Sequence, residues 1–193
     1  MLFRSESYSD FIKLFINSVF ENTNLSNVEN IYIFDTGLSQ KTINYLNNFL
    51  KIKIIPTNIS INSKQIHDEG WKLNTYSKTK YLISILKNEN IPTFMIDSDC
   101  IFVSNFEKII DWNSDFVVCK REREGFSKHI GSFFGAINIE KSIHFIEKWI
   151  KNIEELNKNK NFKHCESPAL SKTIEETTYN FQEIEEQIIS AVF

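Results

Sequence analysis

Glycine and proline are scarce in this chain of 193 residues, at 5 and 3. So few chain breakers argue against an all-β sandwich, whose many short strands need turns rich in both. Cysteine is rare and odd in number, and Cys100, Cys119 and Cys165 show no paired spacing. That argues against a disulfide framework or a zinc knuckle and fits a reducing compartment. No run of about 18 apolar residues exists, so no transmembrane segment is expected. The N-terminus lacks the basic-then-apolar layout of a secretory signal. A formal net charge of -3 gives no general attraction to nucleic acid. The lysine cluster within residues 157–163 reads as a solvated loop.

What is present is the material of a folded globule. Hydrophobic residues make up 41% and aromatics 13%, with Phe unusually common at 17. The length suits a single domain, 1–193, able to bury about 70% of its unfolded surface. The abundance of Asn, Ile and Lys points to an AT-rich genome and not to a mechanism.

Taken in order, the chain alternates. Leu2-Phe3 reads as the tail of a first strand. Ser9 or Asp10 then caps a helix whose apolar line is Phe11, Leu14, Phe15, Val19 and Phe20. Ile31 to Phe34 is a second strand, and Ser39 to Leu50 a helix with Ile43, Leu46 and Leu50 inward. Ile52 to Ile55 is a third strand, stopped by Pro56. This β-α-β-α-β order predicts right-handed crossovers and a parallel sheet. Asn58 to Thr75 reads as a loop anchored by Trp71, and Ser77 to Lys87 as a strong helix. After the next strand the alternation breaks. Phe106 to Trp112 makes a short helix or turn, and Asp115 to Lys120 and Ile130 to Asn138 are strand-like. Glu140 to Leu156 and Glu166 to Glu176 are amphipathic helices. Asn180 to Phe193 is a tail without a clear pattern.

The strand Thr93 to Ile96 matters most, because it ends in Asp97-Ser98-Asp99. Open α/β sheets bind ligands at the carboxyl ends of their strands. In extended chain the two acids share one face, about 6–7 Å apart. Like charges that close repel unless a cation lies between them. A hard divalent ion taking oxygen ligands, Mg²⁺ or Mn²⁺, resolves the conflict. The alternative is an acid that caps a turn beside a solvated one.

Two other patterns compete. Asp35-Thr36-Gly37 resembles the aspartic-protease signature, but it follows a strand in a helix-alternating chain, whereas those enzymes are nearly all β. A strand-end Asp35 that binds a base or ribose, or that holds its turn, suits the fold better. Asp97-Ser98-Asp99 also resembles the start of haloacid dehalogenase phosphatases. There the pair ends the first strand; here it ends roughly the fourth.

An ordered set of stretches resembles the GT-A fold nucleotide-sugar-dependent glycosyltransferases, glycogenin-like members included. Residues 3–8 resemble the first strand and the loop that holds the base. Residues 32–39 resemble the second strand and its turn. Lys78-Thr79-Lys80-Tyr81 onward resembles the helix whose basic residue precedes the metal motif. Ile96-Asp97-Ser98-Asp99-Cys100-Ile101-Phe102 resembles that Asp-x-Asp motif. Phe133 to Ile137 resembles the strand lining the sugar pocket, and Glu166 to Leu170 the acidic helix start facing the donor sugar.

The resemblance implies an α/β, three-layer fold with a mainly parallel central sheet flanked by helices. It implies a UDP- or GDP-sugar donor and a glycan or lipid-linked acceptor, in bacterial surface polysaccharide synthesis. Localisation is then cytoplasmic, at most peripheral at the inner membrane. It makes Asp97 and Asp99 metal-binding residues for Mn²⁺ or Mg²⁺, and Asp99 and Glu166 the catalytic candidates. Ser5, Tyr8, Asp35, Asp97, Ser98 and Gly135 become donor contacts. Of Lys78 and Lys80, which face apart, Lys80 is slightly favoured as the cation on the diphosphate. Glu166 serves as general base in an inverting reaction or as a stabiliser of the sugar cation in a retaining one.

Two departures stand out. Phe133 occupies a place where glycogenin-like members carry Asn. No His follows His164, where members with a third protein metal ligand have one. Either the ion has only carboxylate, diphosphate and water ligands, or the chain is shorter than a full enzyme at its ends. The alternatives to a transferase are a non-catalytic nucleotide-sugar-binding remnant and a dehalogenase-type phosphatase.

Overall fold

The computed structural model describes residues 2–4, 9–57, 69–123, 127–158, 165–186 and 188, with side chains from residue 9 and, in one long helix, from residue 76. Ser5, Tyr8, His67 and His164 lie outside the described residues, as does the side chain of Trp71. The chain divides into two compact units. Among the described residues, the first holds those within Met1–Asn62 and Ile96–Ile109, the second those within Ser63–Met95 and Ile110–Ile189.

The first unit carries a parallel sheet of β1 (Leu2–Arg4), β2 (Ile31–Asp35) and β3 (Ile52–Pro56), in that order. Arg4 is in register with Asp35, and Asp35 with Pro56, so the carboxyl ends of the strands line up. Helix α1 (Ser9–Asn22) buries Ile12, Phe15, Ile16 and Val19, spaced i, i+3, i+4, i+7. The expected stripe is therefore rotated: Leu14 is 51% exposed. Ile12 and Ile16 centre the buried face, and the positions beside them, Ser18 and Asn22, carry polar groups used below.

Helix α2 (Gln40–Leu46) starts at Ser39, whose hydroxyl accepts the Thr42 N–H at 3.3 Å. It ends before the expected Leu50. Asn48 turns its side-chain amide back onto the carbonyls of Asn44 and Tyr45, a local alternative to another helical turn. Phe49 instead packs edge-on to Phe20 and Tyr45, and Leu50 is fully exposed.

The second unit begins with α3 (Glu69–Glu89), longer at its start than the expected Ser77, so that the last part of the expected loop is helical. It continues through β4 (Thr93–Ile96), whose last residue belongs to the first unit, β5 (Phe116–Lys120), β6 (His129–Ala136), α4 (Ile139–Asn157), α5 (Glu166–Glu175) and β7 (Phe181–Glu185). The strands order as β4-β6-β5-β7; β5 is antiparallel to β6 and parallel to β7. The segment Phe181–Glu185, left unassigned from sequence, is thus an edge strand with a largely polar pattern. Its Phe181 ring stacks on Phe116 at 5.4 Å, with 3° between planes. Phe116, Phe134, Phe145 and Trp149, all fully buried, form the aromatic core behind β5 and β6.

Asp115 closes this core at one end. Its carboxylate pairs with Lys141 at 2.9 Å and accepts the Asn180 N–H at 3.0 Å. Its carbonyl takes N–H groups from Ile137 and Asn138. The three cysteines are free and buried, and burial pushes the Cys119 thiol up to about 12, which makes it inert. The protein has an α/β architecture with a parallel sheet and flanking helices. Parallel pairing resides in β1-β2-β3 and in β5·β7, while the hairpin of β5 and β6 is antiparallel.

Candidate functional site

The acid pair sits on a turn. Strand β4 stops at Ile96, and the Cys100 N–H returns to the Asp97 carbonyl at 3.1 Å. That i to i+3 bond makes Asp97–Cys100 a β-turn with Ser98 and Asp99 in the middle. Asp97 therefore opens the turn and Asp99 lies within it, in place of the single face of an extended strand that the i, i+2 spacing predicts. Ser98 and Cys100 are buried, while Asp97 and Asp99 are half-buried.

What holds the chain just past this turn is α1. Phe102 donates its N–H to Ser18 Oγ at 3.0 Å, and its carbonyl accepts Asn22 Nδ2 at 2.9 Å. Ser18 and Asn22 are one helical turn apart, so together they satisfy both backbone groups of one residue. The Phe102 ring adds edge contacts to Phe15 at 5.7 Å and Phe106 at 4.8 Å. Sequence reading missed this clamp. Its one signal was a polar i, i+4 pair bordering an apolar stripe.

Asp35 holds its own turn. One carboxylate oxygen accepts the N–H groups of Gly37 at 2.7 Å and Leu38 at 2.6 Å, and its carbonyl takes both donors of Thr57. Gly37 has φ of 124°, a backbone region that favours glycine. Of the two roles open to Asp35, turn-holding is the visible one, performed by the side chain as well as the backbone.

The donor chemistry of the turn can be tested against the implied ion. Among the described residues, no cluster of three or more His, Cys, Asp or Glu is placed to hold a metal. Two hard carboxylates are too few for a cage made of protein alone. They fit Mg²⁺ or Mn²⁺ shared with substrate phosphates, because such ions commonly take one or two carboxylates plus phosphate and water oxygens.

The remaining candidates lie in the second unit. Lys78 and Glu166 are both buried and form an ion pair at 2.9 Å. Lys78 Nζ also donates to the Gly131 carbonyl at 3.0 Å. Gly131 lies in a bulge of β6. The register against β5 jumps from Phe134 opposite Val118 to Ile130 opposite Cys119, leaving Gly131, Ser132 and Phe133 outside the ladder. Helix α5 supplies side-chain acceptors along this stretch: Ser167 Oγ accepts the N–H of bulged Gly131 at 3.2 Å, and Ser171 Oγ accepts the N–H of His129, which remains in register with Lys120, at 3.0 Å. Trp149 donates Nε1–H to the Glu166 carbonyl at 3.0 Å, which fixes the start of α5 from behind.

Lys80 points elsewhere. It is exposed, and its Nζ stands 4.2 Å from the centroid of the Tyr76 ring. Gly135 also has a specific neighbour. A Cβ there would fall 2.5 Å from the Phe94 ring, so its open face is occupied by Phe94. At Gly131 the corresponding space is filled by Glu166, a juxtaposition absent from the sequence reading.

No family model matches the chain, and no curated protein sequence matches it. Solved structures do. The galactosyltransferase LgtC, determined with donor and acceptor sugar analogs, matches with a TM-score of 0.67 at 12% identity, over 96% of this chain and 73% of that one. The glycosyltransferase GlyE of Streptococcus pneumoniae TIGR4 matches at 0.63 and 12%, over 96% of this chain and 44% of its own. The bifunctional WbbM matches at 0.63 and 11%, over 95% and 38%. The chain thus spans nearly three quarters of LgtC but under half of GlyE and WbbM. At such identities the likeness speaks for the fold, and the chain has the fold of GT-A glycosyltransferases.

Proposed function

We propose that the protein transfers a sugar from a nucleoside-diphosphate donor to a glycan or lipid-linked acceptor, in a divalent-ion-dependent reaction. The observation that carries this reading is the Asp97–Asp99 turn at the end of a strand, in a chain whose neighbours by structure are glycosyltransferases. The same neighbours favour transfer over the dehalogenase-type phosphatase.

Breaking the bond from the anomeric carbon to the phosphate oxygen leaves negative charge on the departing diphosphate. A bound Mn²⁺ or Mg²⁺ supplies the positive charge that stabilises it, by several kcal/mol. Asp99 is the direct ligand in this proposal, and Asp97 contacts the ribose or reaches the ion through water. Ser98 offers its backbone and hydroxyl between them. Glu166 faces the donor sugar, as base or as electrostatic stabiliser according to stereochemistry. Lys80, whose amine stands over the Tyr76 ring, is the proposed cation on the diphosphate. A bacterial surface polysaccharide is the proposed destination of the sugar, with the enzyme in the cytoplasm. No helix among the described residues is long and apolar enough to cross a membrane.

The test is nucleoside-diphosphate release from a panel of UDP- and GDP-sugars, with Mn²⁺ or Mg²⁺ and with chelator. Metal-dependent release supports transfer. Tight donor binding without turnover supports the non-catalytic remnant, and cleavage of phosphomonoesters the phosphatase.

A further inference from the structure

We infer that Gly131 is a positioning residue: the bulge of β6, bare of a side chain at Gly131 and tied down by Lys78, forms a fitted seat for the Glu166 carboxylate. The inference rests on the transfer reading for its consequence, but its geometry stands by itself. A Cβ built on Gly131 would lie 2.5 Å from Glu166 Cδ, 2.7 Å from Cγ and 2.8 Å from Oε1. Carbon atoms do not approach that closely, so any side chain at residue 131 must displace the carboxylate. The seat is closed from the other side. Lys78 holds Glu166 Oε1 at 2.9 Å and the Gly131 carbonyl at 3.0 Å, bridging acid and bulge with one amine.

Nor is the backbone beneath Glu166 free to follow a displaced side chain. Its carbonyl is held by Trp149, and the next residue, Ser167, accepts the Gly131 N–H. Both backbone groups of Gly131, which stands outside the β5 register, are therefore bonded to side chains, the N–H to Ser167 and the carbonyl to Lys78. The bulge does two things at once. It leaves Gly131 bare where the acid needs room, and it turns backbone groups toward α3 and α5, which carry the acid and its counter-charge. A regular strand with a side chain at residue 131 offers neither. The displaced group is the flexible end of a side chain, so Gly131→Ala should fold while losing the acid's alignment.

The expected result follows from that distinction. Gly131→Ala should lower kcat for donor turnover about 100-fold, the order that a misplacement near 1 Å costs, with the donor KM little changed. Shortening the acid should restore part of the rate, so Gly131→Ala with Glu166→Asp should exceed Gly131→Ala alone. With Glu166→Ala in place the seat is empty, and adding Gly131→Ala should change neither Tm nor residual rate. Equal losses from Gly131→Ala in both backgrounds, or a wild-type kcat in Gly131→Ala, would overturn the inference. A wild type that releases no nucleoside diphosphate would overturn the transfer reading instead. The seat is then judged on Tm alone: a drop from Gly131→Ala that vanishes in Glu166→Ala supports it, and an equal drop in both refutes it.

Discussion

The two units hold their acids by different physics. In the first, Asp35 and Asp97–Asp99 stand on short turns closed by hydrogen bonds within a few residues, and the segment after the second turn is clamped by two neutral side chains of α1. In the second, Glu166 depends on partners remote in sequence: Lys78 on α3, Gly131 on β6 and Trp149 on α4. The acids on the first unit's turns are half-buried, open enough for an ion to reach them. A buried acid needs its counter-charge built in. The first arrangement suits a site completed by ligand, the second a site preset before ligand comes.

Removing the built-in counter-charge should therefore give the largest stability loss. Lys78→Met leaves the Glu166 carboxylate buried and unpaired, at an expected cost of about 3–5 kcal/mol in urea unfolding. Adding Glu166→Leu should recover most of it; a double variant as unstable as the single would erase the contrast between the units.

The neutral clamp of the first unit should matter less. Ser18→Ala strands the Phe102 N–H, for an expected loss of about 1–3 kcal/mol. Hydrogen exchange at the Phe102 amide should accelerate while amides of β5 keep their protection.

A third test uses pH on the second unit. His129 is buried, which lowers its pKa, although the hydrogen bond with Glu183 at 2.8 Å and the charges of Glu183 and Glu175 oppose the shift and Lys128 adds to it. The unfolded chain then takes up a proton near pH 6.5 that the folded protein refuses. Stability should fall as pH drops below about 6.5, by no more than about 1.4 kcal/mol per pH unit, until the folded His129 protonates too. Glu183 adds its own loss further down. Burial raises its pKa, but the hydrogen bonds from Lys128 and His129 outweigh that and leave it lowered. His129→Gln should flatten the slope between pH 6.5 and the carboxylate range.

The smallest effect is expected at Lys80, whose amine is exposed over Tyr76. Lys80→Gln should change stability by under about 0.5 kcal/mol. A large loss of donor affinity in that variant would support Lys80 as the diphosphate cation, and unchanged affinity would remove it from that role.

The same contrast explains what could be read from the sequence. Local features were legible. Strand β2 is marked by an unbroken apolar run, β3 by Ile52, Ile54 and Ile55 ahead of Pro56, and the acid pair by its place at the end of a strand, though not the turn it stands on. Ser39 reads as the residue before the first periodic position of α2. Features built over long sequence separations were not. Nothing in Lys78-Thr79-Lys80 says which lysine turns inward. The bulge that takes Gly131 out of the ladder arises from a register jump against β5, which no single segment records. That Gly135 makes room for the Phe94 ring of β4 is likewise a pairing no single segment records. The polar edge strand β7 escaped notice because its burial is decided by Phe116, far back in the chain.

The most direct measurement is calorimetry of UDP- and GDP-sugar binding with and without Mn²⁺, in the wild type and in Asp99→Ala. The expected result is donor binding that needs the ion in the wild type and loses its dependence on Mn²⁺ in the variant, because one of the two carboxylates that would hold the ion is gone. Equal donor affinity in both proteins, or affinity indifferent to Mn²⁺, would contradict the assignment of the Asp97–Asp99 turn as a metal-diphosphate site.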